Sequence, residues 1–563
     1  MTRIAVAVWL FAAGAALAQD STQKCGALAS AKGLPNATTT ISSAVLNASG
    51  AQPEHCEVLG KINDRTGVNN QHYAIKFHLR LPSNWNGKFF FEGGGGSNGN
   101  LGNALGNLQG QQRGNALSLG YAVVSQDSGH DNRENNDPQR NGAATFGFDP
   151  QARLDFGYNS YDQVTQAAKA LIRIYYGRSP ERSYFVGCSE GGREGMMMSQ
   201  RFPDYFDGIL ACSPGFKLPK AALYGHSWDA QSFAEVAKAD GIYDRFGQPL
   251  LNKTFTDEDL DLAAQAILGA CDELDGLKDG MIVDFPACTA AVVGPKLDAL
   301  VCKGPKRVSC LAAAQVAAIK KVMAGARDSK GDMLYSDWAW DRGIGGKLGD
   351  AYNQGWRSWK IGAYDAPANS AIIVGLGSGA VSAIFSTPPV TIPAAGAGPV
   401  AYLMGIDLAK DAGKIYAESA EYSKSSWDFM MASSTELSKF HAHGGKLVIV
   451  QGVSDPVFSI NDTIRWWNDV NQANGGNAAA FARLFAVPGM NHCAGGPATD
   501  RFDAFSKLVD WVEKNAAPEK ITATAGPATP WPGRTRPLCV YPAQARYNGS
   551  GSIEEAANFS CKP

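Results

Sequence analysis

The sequence predicts an α/β fold with a mostly parallel sheet, because short apolar runs rich in β-branched and aromatic residues alternate with helical patterns. Two further observations fit this fold: a glycine-flanked serine directly follows one run, and a histidine follows the last run. The predicted strands are His72–Leu81, Lys88–Phe91, Tyr121–Ser125, Ser183–Val186, Gly208–Ala211, Lys446–Val450 and Ala482–Val487.

The clearest helical pattern lies between the third and fourth predicted strands. Ser160 and Gln163 have the spacing of a capping box, and Gly177 is a typical residue at a helix end. An apolar stripe runs through Val164, Ala167, Ala168 and Leu171. A second helix is predicted from Glu190 to Phe202.

The order of elements predicts an interrupted domain. With 563 residues, the chain is longer than a single core usually organises. The strand–helix alternation lapses between about Pro214 and His443, where helical segments and Gly/Ala-rich stretches take its place. We therefore expect a core in two parts, 19–213 and 444–563, with residues 214–443 inserted as a lid.

The N-terminus has the pattern of a signal peptide over residues 1–18. Met1 and Arg3 precede an apolar run, and Ala16-Leu17-Ala18 supplies small residues for cleavage. An N-terminal core helix is the alternative. The run is too short for a membrane span, and no later stretch is long enough. The protein is therefore expected to be secreted or periplasmic.

The charge balance argues against a nucleic-acid partner, and the cysteine content indicates an oxidising compartment. Lys plus Arg number 51 against 53 Asp plus Glu, so the basic excess typical of nucleic-acid binding is absent. Eleven cysteines in an exported chain predict disulfides. Spacing suggests the pairs Cys25–Cys56, Cys271–Cys288, Cys302–Cys310 and Cys539–Cys561. That leaves Cys188, Cys212 and Cys493.

The serine motif predicts a nucleophile. Gly187-Cys188-Ser189-Glu190-Gly191 matches G-x-S-x-G, which in an α/β-hydrolase fold lifts the serine hydroxyl above the sheet at a strand-to-helix turn. The bare pattern is common in a glycine-rich chain. Its position between a predicted strand and a predicted helix favours Ser189 as the nucleophile over a turn without chemistry.

A serine nucleophile requires a base, which follows it in the chain on this fold. His492 lies in a loop leaving the last predicted strand, where the fold presents its base. Three other histidines follow Ser189: His441 and His443 precede a strand, and His226 lies in the insertion. Position therefore favours His492.

The third triad member should lie between the nucleophile and the base. Asp455 follows the strand Lys446–Val450, so its carboxylate is expected at the same sheet edge as His492. Asp before Pro is also a common turn former. Asp462 is the nearest rival.

Two of the remaining cysteines flank the candidate catalytic residues. Cys188 precedes Ser189 and Cys493 follows His492, so a disulfide between them would join the two catalytic loops. Two buried free thiols are the alternative. Cys212 would then be a free thiol.

Acyl transfer also requires N–H donors for the oxyanion. The backbone N–H of Glu190 is the first candidate, and the second is expected from Gly93-Gly94-Gly95-Gly96, where missing side chains allow close approach to substrate.

An acidic loop lies in the insertion from Cys271 to Met281. It places carboxylates at short intervals among glycines, which suits a hard cation with oxygen ligands. The spacing is not that of an EF-hand, and a solvated acidic turn is the alternative. A catalytic metal is not expected, because no histidine lies nearby.

Four long strings are specific enough to indicate a family. They are GCSEGGREGMMMSQRFP around Ser189, FGFDPQARLDFGYNSYDQVTQA before it, YNQGWRSW at 352–359 and VPGMNHC at His492. With these strings, from about Cys25 to Cys561, the chain resembles the tannase and feruloyl esterase family. The resemblance implies an α/β-hydrolase with an inserted lid that hydrolyses small aromatic esters.

The resemblance also assigns individual residues. It implies the triad Ser189, Asp455 and His492 and the bridge Cys188–Cys493. The other implied roles are oxyanion donors at Glu190 and Gly96, pocket walls at Trp359 and Phe458, and a structural calcium ion held by Asp272, Asp275, Asp279 and the carbonyls of Leu277 and Met281.

One departure bears on the substrate. For a terephthalate monoester, the resemblance implies a lid arginine that binds the free carboxylate. The matching stretch here reads Asn369-Ser370-Ala371-Ile372-Ile373-Val374, without Lys or Arg. An unpaired carboxylate in an apolar lid is costly, which favours a neutral feruloyl or galloyl ester. Arg357 or Lys360 could instead supply the charge.

Two other functions are compatible with parts of the sequence. One is a lipase or peptidase of the same fold, and the other is a calcium-dependent binding module with an inactive serine turn. Nucleophile, base and flanking cysteines together favour the esterase. We expect a small-molecule substrate, no nucleic acid and a monomer.

Overall fold

The computed structural model describes residues 21–48, 50–345 and 355–563. The predicted signal peptide, residues 1–18, lies outside the described residues. Among the residues that are described, no helix is long and apolar enough to cross a membrane.

A nine-stranded mixed sheet forms the centre of the fold. Its spatial order is β1-β2-β3-β5-β4-β6-β7-β8-β9. The pairs from β1 to β5 are antiparallel, and the pairs from β5 through β4 to β9 are parallel. The strands are β1 Thr40–Asn47, β2 His55–Thr66, β3 His72–Pro82, β4 Lys88–Glu92, β5 Ala122–Gln126, β6 Arg182–Cys188, β7 Gly208–Cys212, β8 Lys446–Gly452 and β9 Ala482–Val487.

All seven predicted strands belong to this sheet, each within two residues of its predicted ends. The two strands that the sequence did not predict, β1 and β2, lie at its antiparallel edge. No residue of β1 is fully buried, so this strand has no continuous apolar run. Two small antiparallel sheets follow the large one. They contain β10 Arg501–Phe502, β11 Lys520–Thr524 and β12 Thr535–Cys539, and β13 Gln544–Tyr547 with β14 Phe559–Lys562.

From Pro150 onward, the described residues form fourteen α-helices. They are α1 Pro150–Leu154, α2 Ser160–Tyr176, α3 Glu190–Arg201, α4 Leu218–Lys220, α5 Ser227–Ala239, α6 Asp257–Cys271, α7 Ala290–Ala299, α8 Ala313–Met323, α9 Gly398–Gly405, α10 Leu408–Asp411, α11 Ser426–Met430, α12 Ser438–Ala442, α13 Ile460–Ala473 and α14 Ala504–Lys514. Five π-helical segments lie at Asp155–Asn159, Ala221–His226, Arg357–Ile361, Ile373–Gly377 and Ala380–Phe385.

Helices cover both faces of the large sheet. Successive strand residues point to opposite sides, so apolar strands present an apolar surface on each face. On one face, Phe91 and Phe185 pack in a core with Leu171 of α2 and Met197 of α3. On the other face, a second core joins the alternate strand residues, such as Tyr184 and Val186, to Phe505 and Trp511 of α14.

The predicted capping box at Ser160 is wrong. Helical structure begins at Pro150, where the Asp149 carboxylate accepts the N–H of Ala152, and it continues through the π segment into α2. Ser160 is therefore inside a helical run, and its hydroxyl donates to the carbonyl of Asp155 at 2.7 Å. The predicted end is confirmed, since Gly177 has a left-handed φ of 75°.

Residues between β7 and β8 contribute no strand to the large sheet in their described part. They carry α4 to α12 and an extensive core of their own, which includes Phe233, Ile267, Val322 and Ile384. The division of the chain into a two-part core and a lid at 214–443 stays a prediction.

Five disulfides have the pairings predicted above. They are Cys25–Cys56, Cys188–Cys493, Cys271–Cys288, Cys302–Cys310 and Cys539–Cys561. Cys212 is a buried free thiol. Such a framework is typical of proteins that fold in an oxidising compartment.

Candidate active site

Ser189 lies at the turn between β6 and α3. Its backbone has φ 62° and ψ −120°, a conformation that costs a non-glycine residue energy and persists only where the surroundings enforce it. The Ser189 N–H donates to the carbonyl of Cys212 at 3.0 Å, which fixes the turn to β7. The strained turn therefore holds the serine at the carboxyl end of the parallel strands.

The glycines of the serine motif are required by close backbone approaches. A Cβ at Gly187 would lie 2.5 Å from the carbonyl carbon of Gly191, and a Cβ at Gly191 would lie 2.6 Å from the carbonyl oxygen of Gly94. The Gly191 N–H donates to that same oxygen at 3.1 Å. The motif thus brings the glycine loop after β4 against the start of α3.

His492 and Asp455 meet at the same edge of the sheet. Asp455 follows β8 and His492 follows β9, and Nδ1 of His492 lies 3.0 and 3.1 Å from the two carboxylate oxygens. Asp455 also accepts the N–H groups of Val457 at 2.8 Å and Phe458 at 3.1 Å. Nε2 of His492 is buried and has no hydrogen-bond partner within the described chain.

The rival residues lie elsewhere. Asp462 is paired with Lys217 at 2.8 Å, not with an imidazole. His441 stacks on Phe481, and His443 lies 3.9 Å from Asp204.

The Cys188–Cys493 disulfide joins the two candidate catalytic loops. Its Cα atoms are 6.0 Å apart, and it links residues that directly neighbour Ser189 and His492. The Cys493 N–H donates to the hydroxyl of Ser213 at 3.3 Å, which ties the histidine loop to the end of β7 as well.

The glycine loop leaves one N–H of its run without an internal acceptor. The Gly93 N–H donates to the carbonyl of Val186 at 2.9 Å. The Gly94 N–H donates to the Glu194 carboxyl at 3.0 Å, and the Gly95 N–H donates to the Asn98 side chain at 2.7 Å. Within the described residues, no such bond occupies the N–H of Gly96, which has φ 63° and lines the same cavity as Ser189. Gly96 and the first N–H of α3, at Glu190, are thus available as donors.

A buried carboxyl group supports this loop, and the sequence did not predict it. Glu194 of α3 accepts the Gly94 N–H through Oε2 and the Asn98 amide through Oε1 at 2.6 Å. Burial, and then the neighbouring Glu190 carboxylate, raise the pKa of Glu194 to about 8. The sequence feature that could have indicated it is the charged pair Arg193-Glu194, which lies in a helix of otherwise mostly buried residues.

A cavity opens at Ser189. The predicted walls Trp359 and Phe458 both line it, and their rings lie 5.3 and 5.6 Å from the ring of His492 in edge-to-face contact. The lining residues are Gly96, Ser97, Ser189, Glu190, Leu218, Ala222, His226, Trp359, Ile373, Leu376, Gly377, Ala380, Phe385, Val457 and Phe458.

His226 is part of this wall, although its place in the insertion had argued against a role. It closes the π segment Ala221–His226, is 5% exposed, and faces Val457 O through Nε2 at 3.4 Å. Burial, and then the nearby Lys360 ammonium, lower the pKa of His226 to about 3. The ring is therefore neutral near pH 7. No local sequence pattern marks this position.

Arg357 and Lys360 do not supply a charge to the cavity, so that prediction is wrong. Lys360 is fully buried in an ion pair with Asp229, and its ammonium lies 3.6 Å from the ring centroid of Trp338. Arg357 is buried, pairs with Asp257 and donates to the carbonyl of Phe255. Neither cation is among the lining residues.

The carboxylates of the acidic loop accept backbone N–H groups of the same loop. Asp272 accepts the N–H groups of Asp279 and Gly280, and Asp275 accepts that of Leu277. Burial, and then the Asp279 and Asp272 carboxylates, raise the pKa of Asp275 to about 6. This crowding of carboxylates fits a cation.

Two observations leave the calcium site a prediction. Asp279 is paired with Arg536. Across residues 21–48, 50–345 and 355–563, no three acidic, His or Cys side chains converge as they would around a metal ion.

A sequence profile described as tannase and feruloyl esterase matches residues 56–562. The chain belongs to the tannase and feruloyl esterase family. Membership makes it a carboxylic ester hydrolase. Among relatives of this family, the chain is 49% identical over 545 residues to mono(2-hydroxyethyl) terephthalate hydrolase of Piscinibacter sakaiensis, covering 94% of this chain and 89% of the relative.

Solved structures in the family confirm the α/β-hydrolase fold. Feruloyl esterase B from Aspergillus oryzae superimposes with a TM-score of 0.72 at 22% identity, covering 96% of this chain and all of that chain. Tannin acyl hydrolase from Aspergillus niger gives a TM-score of 0.65 at 20% identity, covering 97% and 94% of the two chains.

Proposed function

We propose that this family member is a serine esterase with Ser189 as nucleophile, His492 as base and Asp455 as the group that orients the base. The observation that carries the proposal is the geometry of His492. Its Nδ1 faces both Asp455 oxygens, and its buried Nε2 has no hydrogen-bond partner among the described residues. The Cys188–Cys493 bridge holds the His492 loop next to the strained Ser189 turn. An imidazole held in this way presents its free nitrogen as a proton acceptor.

The reaction follows from this arrangement. Ser189 Oγ attacks the ester carbonyl carbon as His492 Nε2 takes the hydroxyl proton, and the N–H groups of Glu190 and Gly96 stabilise the oxyanion. The imidazolium then gives its proton to the departing alcohol, leaving an acyl group on Ser189. Water, deprotonated by His492, attacks that acyl carbon, and the carboxylic acid leaves with Ser189 restored.

The cavity favours a neutral aromatic acyl group. Its walls combine aromatic rings, Trp359 and Phe458, with aliphatic side chains such as Leu218 and Ile373. No lysine or arginine lines it in the described part of the chain. A carboxylate entering these walls would lose its hydration without gaining a cation. Feruloyl and galloyl esters carry no such charge.

A terephthalate monoester is the second candidate substrate. The observation that favours it is the 49% identity to mono(2-hydroxyethyl) terephthalate hydrolase over nearly the whole chain. The two candidates differ in the free carboxylate, so a direct comparison separates them.

The test is a panel of methyl ferulate, methyl gallate and mono(2-hydroxyethyl) terephthalate, measured as kcat/KM at equal enzyme concentration. We expect the neutral esters to be the better substrates and Ser189→Ala to abolish all turnover. Labelling of Ser189 by a fluorophosphonate, lost in that variant, would support the nucleophile independently. Near-normal turnover by folded Ser189→Ala would refute the mechanism, and a preference for the terephthalate monoester would refute the substrate class.

We also propose that calcium binds the acidic loop and stabilises the fold. Asp272, Asp275 and Asp279, with the carbonyls of Leu277 and Met281, would hold it, and it would supply structural stability rather than chemistry. Calcium added to chelator-treated protein should raise Tm by mass action.

The calcium test uses a matched pair of variants. Asp275→Asn should abolish the calcium-dependent rise in Tm. Asp284→Asn, in the same disulfide-closed segment but paired with Arg546, should keep it. Equal Tm with and without calcium in the wild type would refute the site.

The insertion at 214–443 is proposed as the lid over this site, supported by its residues Leu218, His226 and Ile373 in the cavity wall. Export through residues 1–18 to the periplasm or medium is proposed on the signal-peptide pattern and the five disulfides. N-terminal sequencing of the mature protein from cell fractions tests it.

A further inference from the structure

Asp341 is a buried carboxyl group in the segment between β7 and β8 that the proposed mechanism does not use. It directly precedes the short 3₁₀ helix Arg342–Ile344 and is 0% exposed. It does not line the cavity at Ser189. Burying a carboxylate is costly unless hydrogen-bond donors surround it. The identity of those donors therefore indicates what this residue does.

Donors to Asp341 come from the two loops that follow β8 and β9. Its Oδ2 accepts the N–H of Gly489 at 3.0 Å, and Gly489 lies three residues before His492. The hydroxyl of Ser454 also donates to this carboxyl group, and Ser454 directly precedes Asp455. One side chain therefore contacts both the loop of the proposed base and the loop of the residue that orients it.

The same two loops also contact each other at Ser454. Its N–H donates to the carbonyl of Met490 at 3.1 Å, and its carbonyl accepts the indole N–H of Trp356 at 3.1 Å. The N–H of Gly343 points to both the Ser454 hydroxyl and Oδ1 of Asp341, at 3.1 Å from each. A displacement of Ser454 would therefore change the spacing of the two loops.

The 3₁₀ helix is anchored on one side and packed closely on the other. Arg342 donates to the carbonyl of Gly280 at 2.9 Å, which ties the helix to the acidic loop. A Cβ on Gly343 would overlap the side chain of Ser454 and lie 2.9 Å from the carbonyl oxygen of Gly489. The helix therefore packs against both loops without free space between them.

We propose that Asp341 is a positioning residue: by hydrogen-bonding to the loops after β8 and β9, it sets the alignment of Asp455 with His492. This inference rests on the proposed triad and deepens it. Asp341 acts through Ser454 and Gly489 and does not touch the reacting atoms. Its loss should therefore slow the chemical step and leave binding in the cavity unchanged.

The first test replaces the carboxylate by an amide of the same size. In Asp341→Asn, one acceptor oxygen becomes an NH2 donor, so the N–H of Gly343 or Gly489 faces a donor. A misplacement of about 1 Å between reacting groups can cost about a hundredfold in rate. We therefore expect kcat for methyl ferulate to fall about ten- to hundredfold, with KM within about twofold. Labelling of Ser189 by a fluorophosphonate should slow by the same factor, because it needs the same base.

Asp259→Asn is the matched control for the loss of a buried carboxylate. Asp259 also lies between β7 and β8, is 3% exposed, and accepts the N–H of Thr256 at 3.1 Å and the Gln315 amide at 2.9 Å. Within the described chain, none of its hydrogen bonds reaches the loops after β8 and β9. This variant should lower Tm and keep kcat.

Two glycines near Asp341 test the packing without changing a charge. Gly343→Ala forces a methyl group against Ser454 and should lower kcat with little change in KM. Gly345→Ala places its methyl group 3.1 Å from the Asp261 carboxylate and 3.4 Å from Ala264 instead, and should keep kcat. This pair also covers the case in which Asp341→Asn fails to fold.

The outcomes separate this proposal from the proposed triad. Wild-type kcat in folded Asp341→Asn overturns the proposal, as does a fall in kcat that Asp259→Asn or Gly345→Ala shares. If Asp341→Asn does not fold, wild-type kcat in Gly343→Ala overturns it. Near-normal turnover and fluorophosphonate labelling that do not depend on Ser189 would instead refute the triad.

Discussion

Removing the Cys188–Cys493 bridge should damage catalysis as well as stability. The bridge closes a loop of 305 residues, for which chain-entropy models give a stabilisation of about 6 kcal/mol. It also joins the immediate neighbours of Ser189 and His492. A misplacement of about 1 Å between reacting groups can cost about a hundredfold in rate, so kcat/KM of Cys188→Ala/Cys493→Ala should fall by that order.

Both cysteines have to be replaced together. Cys212 lies opposite Cys188 in the parallel pair of β6 and β7, so a single substitution would leave another thiol near the free partner. Kinetics are measured well below the Tm of each protein, so that unfolding does not lower the concentration of active enzyme. Urea unfolding gives the stability change separately.

Cys302→Ala/Cys310→Ala is the matched control. Its bridge spans 8 residues in the segment between β7 and β8, and the same chain-entropy model gives about 2.5 kcal/mol. This variant should be less stable but equally active. If the Cys188/Cys493 variant retains wild-type kcat/KM, the bridge only stabilises the fold, and the positional argument is refuted.

Three further predictions follow from buried carboxyl groups. Asp455→Asn should lower kcat/KM by about 10⁴-fold, because the His492 imidazole is left in the wrong tautomer. Asp462→Asn should not lower kcat/KM in this way, because Asp462 pairs with Lys217 instead. Equal losses in steady-state kinetics would contradict the assignment. Glu194→Ala should lower kcat about ten- to hundredfold with little change in KM, because the glycine loop loses an acceptor, and Glu194→Gln should recover most of it; an unchanged kcat in the Ala variant would remove this positioning role. Lys360→Met should lower the free energy of unfolding in urea by about 3–5 kcal/mol, because it leaves Asp229 as an unpaired buried charge. Adding Asp229→Leu should restore most of that loss. A double variant no more stable than Lys360→Met would contradict the coupling of the pair.

Much of the sheet and the candidate triad could be predicted from the sequence, because local patterns encode them. A strand buried on both faces has to be apolar along its length, and a sharp turn before a helix requires glycines where backbones meet. For this reason, β6 and α3 mark Ser189, and the loops after β8 and β9 mark Asp455 and His492. The half-exposed edge strand β1 and the helix start at Pro150 were missed, because neither has a distinct apolar period.

The cavity wall was decided by the tertiary structure. Lys360 looked like an available cation in the sequence, yet packing places it against Trp338 and pairs it with Asp229, and it does not line the cavity. His226 lies in the wall because the segment between β7 and β8 contributes residues to the cavity that contains Ser189. Glu194 supports a loop about 100 residues earlier in the chain. The roles of these three residues depend on which distant segments are buried together. A local sequence pattern does not contain that information, because burial and hydrogen-bond partners arise only when the chain is packed.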